Sequence, residues 1–143
     1  MQVIKNKQLI ENHWTYLDDD TALISGDICV SLARWQREKN ALIAHGGNLG
    51  VRLTPADEAS ALIDDLPKLA LIELAVTDFA DGRSFSQAYL LRNRYGYQGE
   101  IRAVGNYLAD QAFYFSRVGV NAFASEHLAQ TQNTLNDFTV FYQ

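Results

Sequence analysis

Apolar positions fall into two kinds of pattern along the chain. Short compact runs, LGVRL (49–53), LALIELAV (69–76), EIRAVG (100–105) and VNAFA (120–124), alternate with longer stretches whose apolar residues recur every three or four positions. Runs of that length bounded by turn residues predict strands, and the 3.6-residue spacing between them predicts helices. The first helix starts at Thr54, with a hydroxyl to cap, Pro55 at the first helical position and Asp57 at the third, and runs to about Asp65. The next runs from Ser84 to Tyr95 and is closed by Gly96, another from about Tyr107 to Val118 is closed by Gly119, and Ser125 caps a last one to about Leu135. The terminal FTVFY reads as extended. Four β-then-α units with connections of this length predict an α/β fold with a mostly parallel sheet, doubly wound or half-barrel-like.

Residues 1–48 have a different texture. VIKN, HWTYL, TALIS and DICVS are β-prone pieces set apart by polar clusters, which predicts an N-terminal β-rich arm. A helix then follows from Ser31, with Leu32, Trp35, Leu42 and Ile43 near one stripe and Gly46 and Gly47 at its end. The 143 residues fit a single α/β domain, 1–143, with the arm and first helix in 1–48 and the βα units in 49–143.

Buried parallel strands usually read as unbroken apolar runs. Here each carries one polar residue at a similar depth: Arg52, Glu73, Arg102 and Asn121. With side chains alternating faces, the four can share one face, and Glu73 should then pair with Arg102, Arg52 or both, because unpaired buried charges are costly. The bland alternative is a set of strand-end residues facing water. The other is a polar cavity lined by one sheet face, covered by residues 1–30 or by a second copy of the chain.

Ligands of α/β sheets and barrels sit beyond the carboxyl ends of the strands. The longest and most polar loop there is TDFADGRS (77–84), followed by a helix. Asp78, Asp81, Gly82, Arg83 and Ser84 make it a candidate oxyanion site, with backbone amides at the helix start and Arg83 as a bidentate donor. Arg102 would reach it from the layer below with Glu73 holding it, while Asn106, Asp110 and Gln111 border it. Asp78 and Asp81 oppose an anion unless they cap amides or orient arginines, and they would suit a cation such as Mg²⁺ instead. A plain turn and helix cap accounts for the same residues.

Composition narrows the function classes. Twelve Lys and Arg against seventeen Asp and Glu give a net charge of −5, which disfavours non-specific nucleic-acid binding. No apolar run reaches bilayer length and the first fourteen residues lack an apolar secretory core, so a cytoplasmic protein without membrane contact is expected. Cys29 is alone, which excludes an internal disulfide or a cysteine cage, and its apolar setting reads as a small buried hydrophobe. His13, His45 and His127 lack metal-ligand spacing, and no GxGxxG, GxxxxGK[ST] or nucleophile elbow occurs. No metal and no cofactor is expected, and no catalytic residue is identified.

The stretch from Phe79 to Phe123 carries F-x-DGR-x-x-S, LR-x-R-x-GY-x-GE-x-RA-x-G, DQ and a closing G-x-x-x-F. These include Ser86, Leu91, Arg92, Arg94, Gly96, Tyr97, Gly99, Glu100, Ala103, Gly105 and Gly119 beside the candidates above. The pattern resembles a bacterial family of unassigned biochemistry associated with assimilatory sulfate and sulfite reduction, labelled oxidoreductase on that association. One departure is Asn106, where the family usually has an acid. The resemblance implies an accessory of sulfite reduction acting through contacts with sulfite reductase or another sulfate-assimilation enzyme. The alternative is an enzyme or small-oxyanion binder using the loop at Asp78–Ser84.

Overall fold

The computed structural model describes residues 2–78, 81–125 and 128–141. Strands β1 (Gln2–Lys5) and β2 (Gln8–Glu11) form an antiparallel hairpin, with Asn6 and Lys7 at positive φ in its two-residue turn. Then come β3 (Thr15–Tyr16), β4 (Ile28–Ser31), β5 (Leu49–Leu53), β6 (Leu71–Val76), β7 (Glu100–Gly105) and β8 (Ala122–Ala124). Strands β3 to β8 pair in parallel in sequence order, and β1 joins the outer edge of β8 antiparallel, giving the order β2-β1-β8-β7-β6-β5-β4-β3. The four strands expected from the βα units are β5 to β8. The arm contributes four more to the same sheet, so it is wider than those units alone would make it.

The connection between β2 and β3 dictates the shape. These are the two edge strands, yet only residues 12–14 separate them. Glu11 and Thr15 can be at most about 14 Å apart along the chain. The edges of a flat eight-stranded sheet would lie about 33 Å apart. The sheet must therefore curl until its edges approach, which makes one face an inside and the other an outside. The half-barrel-like form of the expectation is the one found.

The helices are α1 (Leu32–Ile43), a 3-10 helix (Ala59–Lys68), α2 (Arg83–Tyr89) running on into a π turn (Leu90–Arg94), α3 (Gln111–Arg117) and α4 (Leu128–Phe141). Their buried residues Trp35, Leu42, Leu62, Leu66, Ala88, Leu91, Phe115 and Leu135 join one core with Ile28, Val30, Val51, Leu53, Ile72, Leu74, Ile101 and Phe123 of the strands. Those strand residues all lie on the outward face, so helices cover the convex side. Buried Val3, Cys29, Leu71 and Ala122 stand apart from this core, on the inward face. No helix among the described residues is long and apolar enough to cross a membrane.

Several local expectations need correction. Asp57 accepts from both the amide and the hydroxyl of Thr54, closing a separate turn, so the helix expected from Thr54 begins at Ala59 and is 3-10. The next-to-last helix is shorter than 107–118, because Leu108 donates its amide to the Gln111 side chain and helix starts only there. FTVFY is not extended as far as it is described. Phe138–Phe141 continue α4, a short apolar run being ambiguous between strand and helix, and Tyr142 lies outside the described residues. Ser31 caps α1 as expected, its Oγ accepting from the Arg34 amide at 3.1 Å.

One polar contact ties α1 to the 3-10 helix. The Asp65 carboxylate accepts from Trp35 Nε1 at 2.9 Å and pairs with Lys39 at 2.8 Å. Burial pushes this carboxyl up, but the hydrogen bonds from Lys39 and Trp35 outweigh it and hold it below the usual range. A carboxyl with a lowered folded-state pKa contributes stability above its unfolded value, near 3.9, and that contribution fades as pH falls through the folded value. Thermal unfolding between pH 5 and 2 should therefore show a decline that Asp65→Asn makes shallower. Equal slopes in both proteins would contradict this assignment.

Candidate functional site

The register stacks the inward residues in rows across the curl. Toward the amino ends lie Tyr16, Cys29, Gly50, Leu71 and Glu100; the next row is Ser31, Arg52, Glu73, Arg102, Ala122 and Lys5; toward the carboxyl ends come Ala75, Val104 and Ala124. Arg52, Glu73 and Arg102 are thus in register as expected. Asn121 is not. The residue opposite Arg102 is Ala122, and Asn121 sits one step earlier, its side-chain oxygen accepting from the Ile101 amide at 2.9 Å. A one-residue offset moves a side chain to the other face.

The row is an alternating ion ladder. Arg52 places Nε and Nη2 each 2.9 Å from Glu73 Oε1. Glu73 Oε2 lies 3.9 Å from Arg102 Nη1. Arg102 donates Nε and Nη2 to Glu100 Oε2 at 2.9 and 2.6 Å, and Glu100 Oε1 meets Lys5 at 3.3 Å. Glu73 therefore pairs with both arginines, more closely with Arg52, and the main partner of Arg102 is Glu100. Asn12, from the link between the edge strands, accepts from Arg102 Nη1 at 3.0 Å, and the Tyr16 ring stacks 3.7 Å from the Arg52 guanidinium carbon. Arg102, Glu73 and Glu100 are all buried. Cys29 lies buried beside them, its thiol 3.4 Å from Glu73 Oε1, and burial together with that carboxylate pushes the thiol well above its ordinary range. A protonated thiol in that position is a packing group, not a nucleophile.

The DGR loop sits at the carboxyl ends, before α2. Arg83 is pinned by its own neighbour: Nη2 lies 2.6 Å from Asp81 Oδ2, Nε 3.0 Å from the same oxygen, and the Arg83 amide donates to Asp81 Oδ1 at 3.0 Å. The side-chain and backbone hydrogen bonds from Arg83 keep the Asp81 carboxyl below its usual range. Gly82 precedes α2 without a positive φ, and Asp78 is exposed. Asn106 donates its amide to the Val76 carbonyl, and Asp110 is exposed at the start of α3. Among the described residues, no hydrogen bond or ion pair links Arg83 to Arg102, whose partners are those of the ladder. Phe79 and His127, named in the sequence pattern and the histidine set, lie outside the described residues. Ser84 and Gln87 are buried on α2. Gln87 Nε2 donates to the carbonyls of Thr54 and Asp57, both at 2.8 Å, while its Oε1 and the Ser84 hydroxyl find no partner among the described residues.

The densest part of the sequence pattern turns out to hold backbone. Arg92, on the π turn, donates to the carbonyls of Tyr97 at 2.7 Å, Gly99 at 3.0 Å and Gly119 at 2.8 Å, fastening the entries to β7 and β8 together. Gly119 has φ +112, and a Cβ there would lie 2.6 Å from the Arg92 stem. The Tyr97 hydroxyl donates to the Leu69 carbonyl, and burial pushes its pKa well up. Sequence reading missed Asn12, Lys5 and Tyr16 as members of the ladder, and nothing local marks them. Glu100 was within reach, because a residue two before Arg102 on one strand must share its face.

No curated protein matches the chain. A family model described as "Bacterial protein of unknown function (DUF934)" matches residues 50–143, from β5 through the ladder strands and the Arg92 clamp to the end. With about two-thirds of its length covered, the chain belongs to this DUF934 family of bacterial proteins.

Proposed function

We propose that the chain is a non-catalytic accessory of assimilatory sulfite reduction, acting through protein contacts. The observation that carries this reading is where the patterned side chains of the sequence are bound. Arg92, Tyr97, Glu100 and Arg102 are held by backbone carbonyls or by one another, and Arg83 is held by Asp81. Residues arranged that way maintain a shape. The outer surface is acidic, with Asp18, Asp19, Asp20, Asp57 and Asp78 exposed or part-exposed at the carboxyl end, which suits a basic face on a partner. The association with sulfite reduction comes from the resemblance, and sulfite reductase is the first partner to test. Tagged full-length chain should retain it from lysate of the same cells at low salt and release it as salt rises. Failure to retain it at low salt would overturn the assignment.

A second reading, an oxyanion binder at Asp78–Ser84, is favoured by the buried Ser84 hydroxyl, a donor that finds no partner among the described residues. Calorimetry with sulfite, sulfate and phosphorylated metabolites tests it. Arg83→Ala should then abolish binding while leaving the melting temperature nearly unchanged, since the side chain is exposed. Binding unaffected by that change would exclude the loop as the site.

A further inference from the structure

Helices α2 and α3 leave an apolar groove between them on the outside of the curl. Its volume is about 400 Å³, and Phe85, Ser86, Tyr89 and Leu90 of the α2 segment line it with Val118 from the end of α3. Phe85 stacks on buried Phe115 with 4.0 Å between ring centres, so the core fixes the floor. Tyr89 is 55% exposed on the α2 side, and Tyr114, one helical turn before Val118, is 56% exposed on the α3 side.

The charge of this face opposes that of the chain. The whole protein carries −5, but from Arg83 to Val118 five arginines stand against Glu100 and Asp110, and Glu100 is buried on the inward face. Asp81, just before, is held by Arg83. Three of the arginines lie beside the groove. Arg92 donates to the Gly119 carbonyl next to Val118, and Arg117 turns over the Phe113 ring. The π turn, in which Tyr95 donates its amide to the Leu90 carbonyl, brings Arg94 one wide turn beyond Tyr89 and Leu90. Arg94 and Ser86 are both exposed, and among the described residues neither side chain makes a hydrogen bond or ion pair. Both belong to the sequence pattern of 79–123, but unlike Arg92, Tyr97, Glu100 and Arg102 they hold nothing in the fold together.

We propose that this groove receives an acidic amphipathic segment of another protein. An apolar side chain enters between Phe85, Leu90 and Val118, while carboxylates of the same segment meet Arg94 and Arg117. Apolar anchors ringed by Tyr and Arg are where interface energy concentrates. A concave apolar floor favours a protein side chain over a bilayer, which takes up protruding apolar groups, and over nucleic acid, which needs flat rings for stacking. The proposal deepens the accessory reading and rests on its premise of protein contact, adding a contact opposite in sign to the one at the acidic carboxyl end.

The probe is a synthetic amphipathic peptide with leucines along one helical stripe and glutamates elsewhere, titrated into the full chain and followed by methyl NMR. A twin with lysine for every glutamate is the control. The net charge of the chain favours the lysine twin, so a preference for the glutamate peptide reports the local charge of this face. The glutamate peptide should shift the methyls of Leu90 and Val118 saturably, leave those of exposed Ile43 and Ile63 unmoved, and bind at least about tenfold tighter than its twin. Tyr89→Ala should weaken it at least about tenfold. Arg94→Glu should remove most of the preference over the lysine twin. Both variants should melt nearly as the wild type does, because the two side chains are exposed. Equal binding of the twins, shifts confined to residues outside the groove, or an Arg94→Glu variant that keeps the full preference would each overturn the proposal. So would shifts at Leu90 and Val118 with phosphatidylglycerol vesicles or oligo(dT) and none with the peptide. Absence of peptide binding while the tagged chain retains sulfite reductase would remove the groove and leave the accessory reading standing. Peptide binding without retention of sulfite reductase would support the groove and remove that partner.

Discussion

Arg102→Ala should lower the unfolding free energy by about 3 to 5 kcal/mol, the range for removing one partner of a buried ion pair. The substitution strips Glu100 of two hydrogen bonds at 2.9 and 2.6 Å and leaves that buried carboxylate only Lys5, whose side chain is 41% accessible. Glu73 loses its more distant cation but keeps Arg52. The penalty is therefore mainly that of an under-compensated Glu100. Combining Arg102→Met with Glu100→Gln should recover much of the loss, because a neutral pair of similar volume no longer strands a charge. Denaturant unfolding of the three proteins measures both effects. A loss under about 1 kcal/mol for Arg102→Ala would mean that water already reaches the row.

Arg92→Ala should be the other severe change, costing about 2 to 4 kcal/mol. Three carbonyls, those of Tyr97, Gly99 and Gly119, lose charged donors together, and each stranded buried acceptor costs about 1 to 3 kcal/mol where water cannot replace the donor. The guanidinium is partly buried, and burial lowers its pKa from the ordinary arginine value without approaching neutrality. Arg92→Lys should rescue little, since one ammonium on a shorter fork cannot reach three carbonyls at once. Thermal unfolding of both variants checks this, and a lysine variant as stable as wild type would show that charge alone suffices.

Much of the fold is legible in the sequence because the outward faces of β4 to β8 are apolar and the intervening helices carry one stripe each. The parallel pairing of β6 with β7 follows from connection lengths alone. The eightfold width does not, because β1 and β2 enter the sheet beside β8, more than a hundred residues away, and no local signal encodes that long-range pairing. The ladder was half visible. Arg52, Glu73 and Arg102 stand out as polar residues in apolar runs, and period-two alternation puts them on one face. Asn121 misled because the residue opposite Arg102 is Ala122, one position further along the run, and one residue reverses the face. The DGR loop looked like an anion site because Arg83 follows a turn before a helix. Asp81, two residues earlier, reaches back to that guanidinium, a contact short sequence patterns do not rank above solvation.

The central claim is that the charged row faces the inside of a curled sheet, with its main cation held by structure. Proton exchange of arginine Nε–Hε groups in the intact protein tests it most directly, with Arg83 as the internal reference. Arg102 is 2% accessible and hydrogen-bonded to Glu100 and Asn12, whereas the Arg83 side chain is 62% accessible. The account predicts that Arg102 Hε exchanges slower than Arg83 Hε by orders of magnitude, because exchange at the buried group requires the sheet to open. Arg102 exchanging as fast as Arg83 would place the row in water and contradict the account.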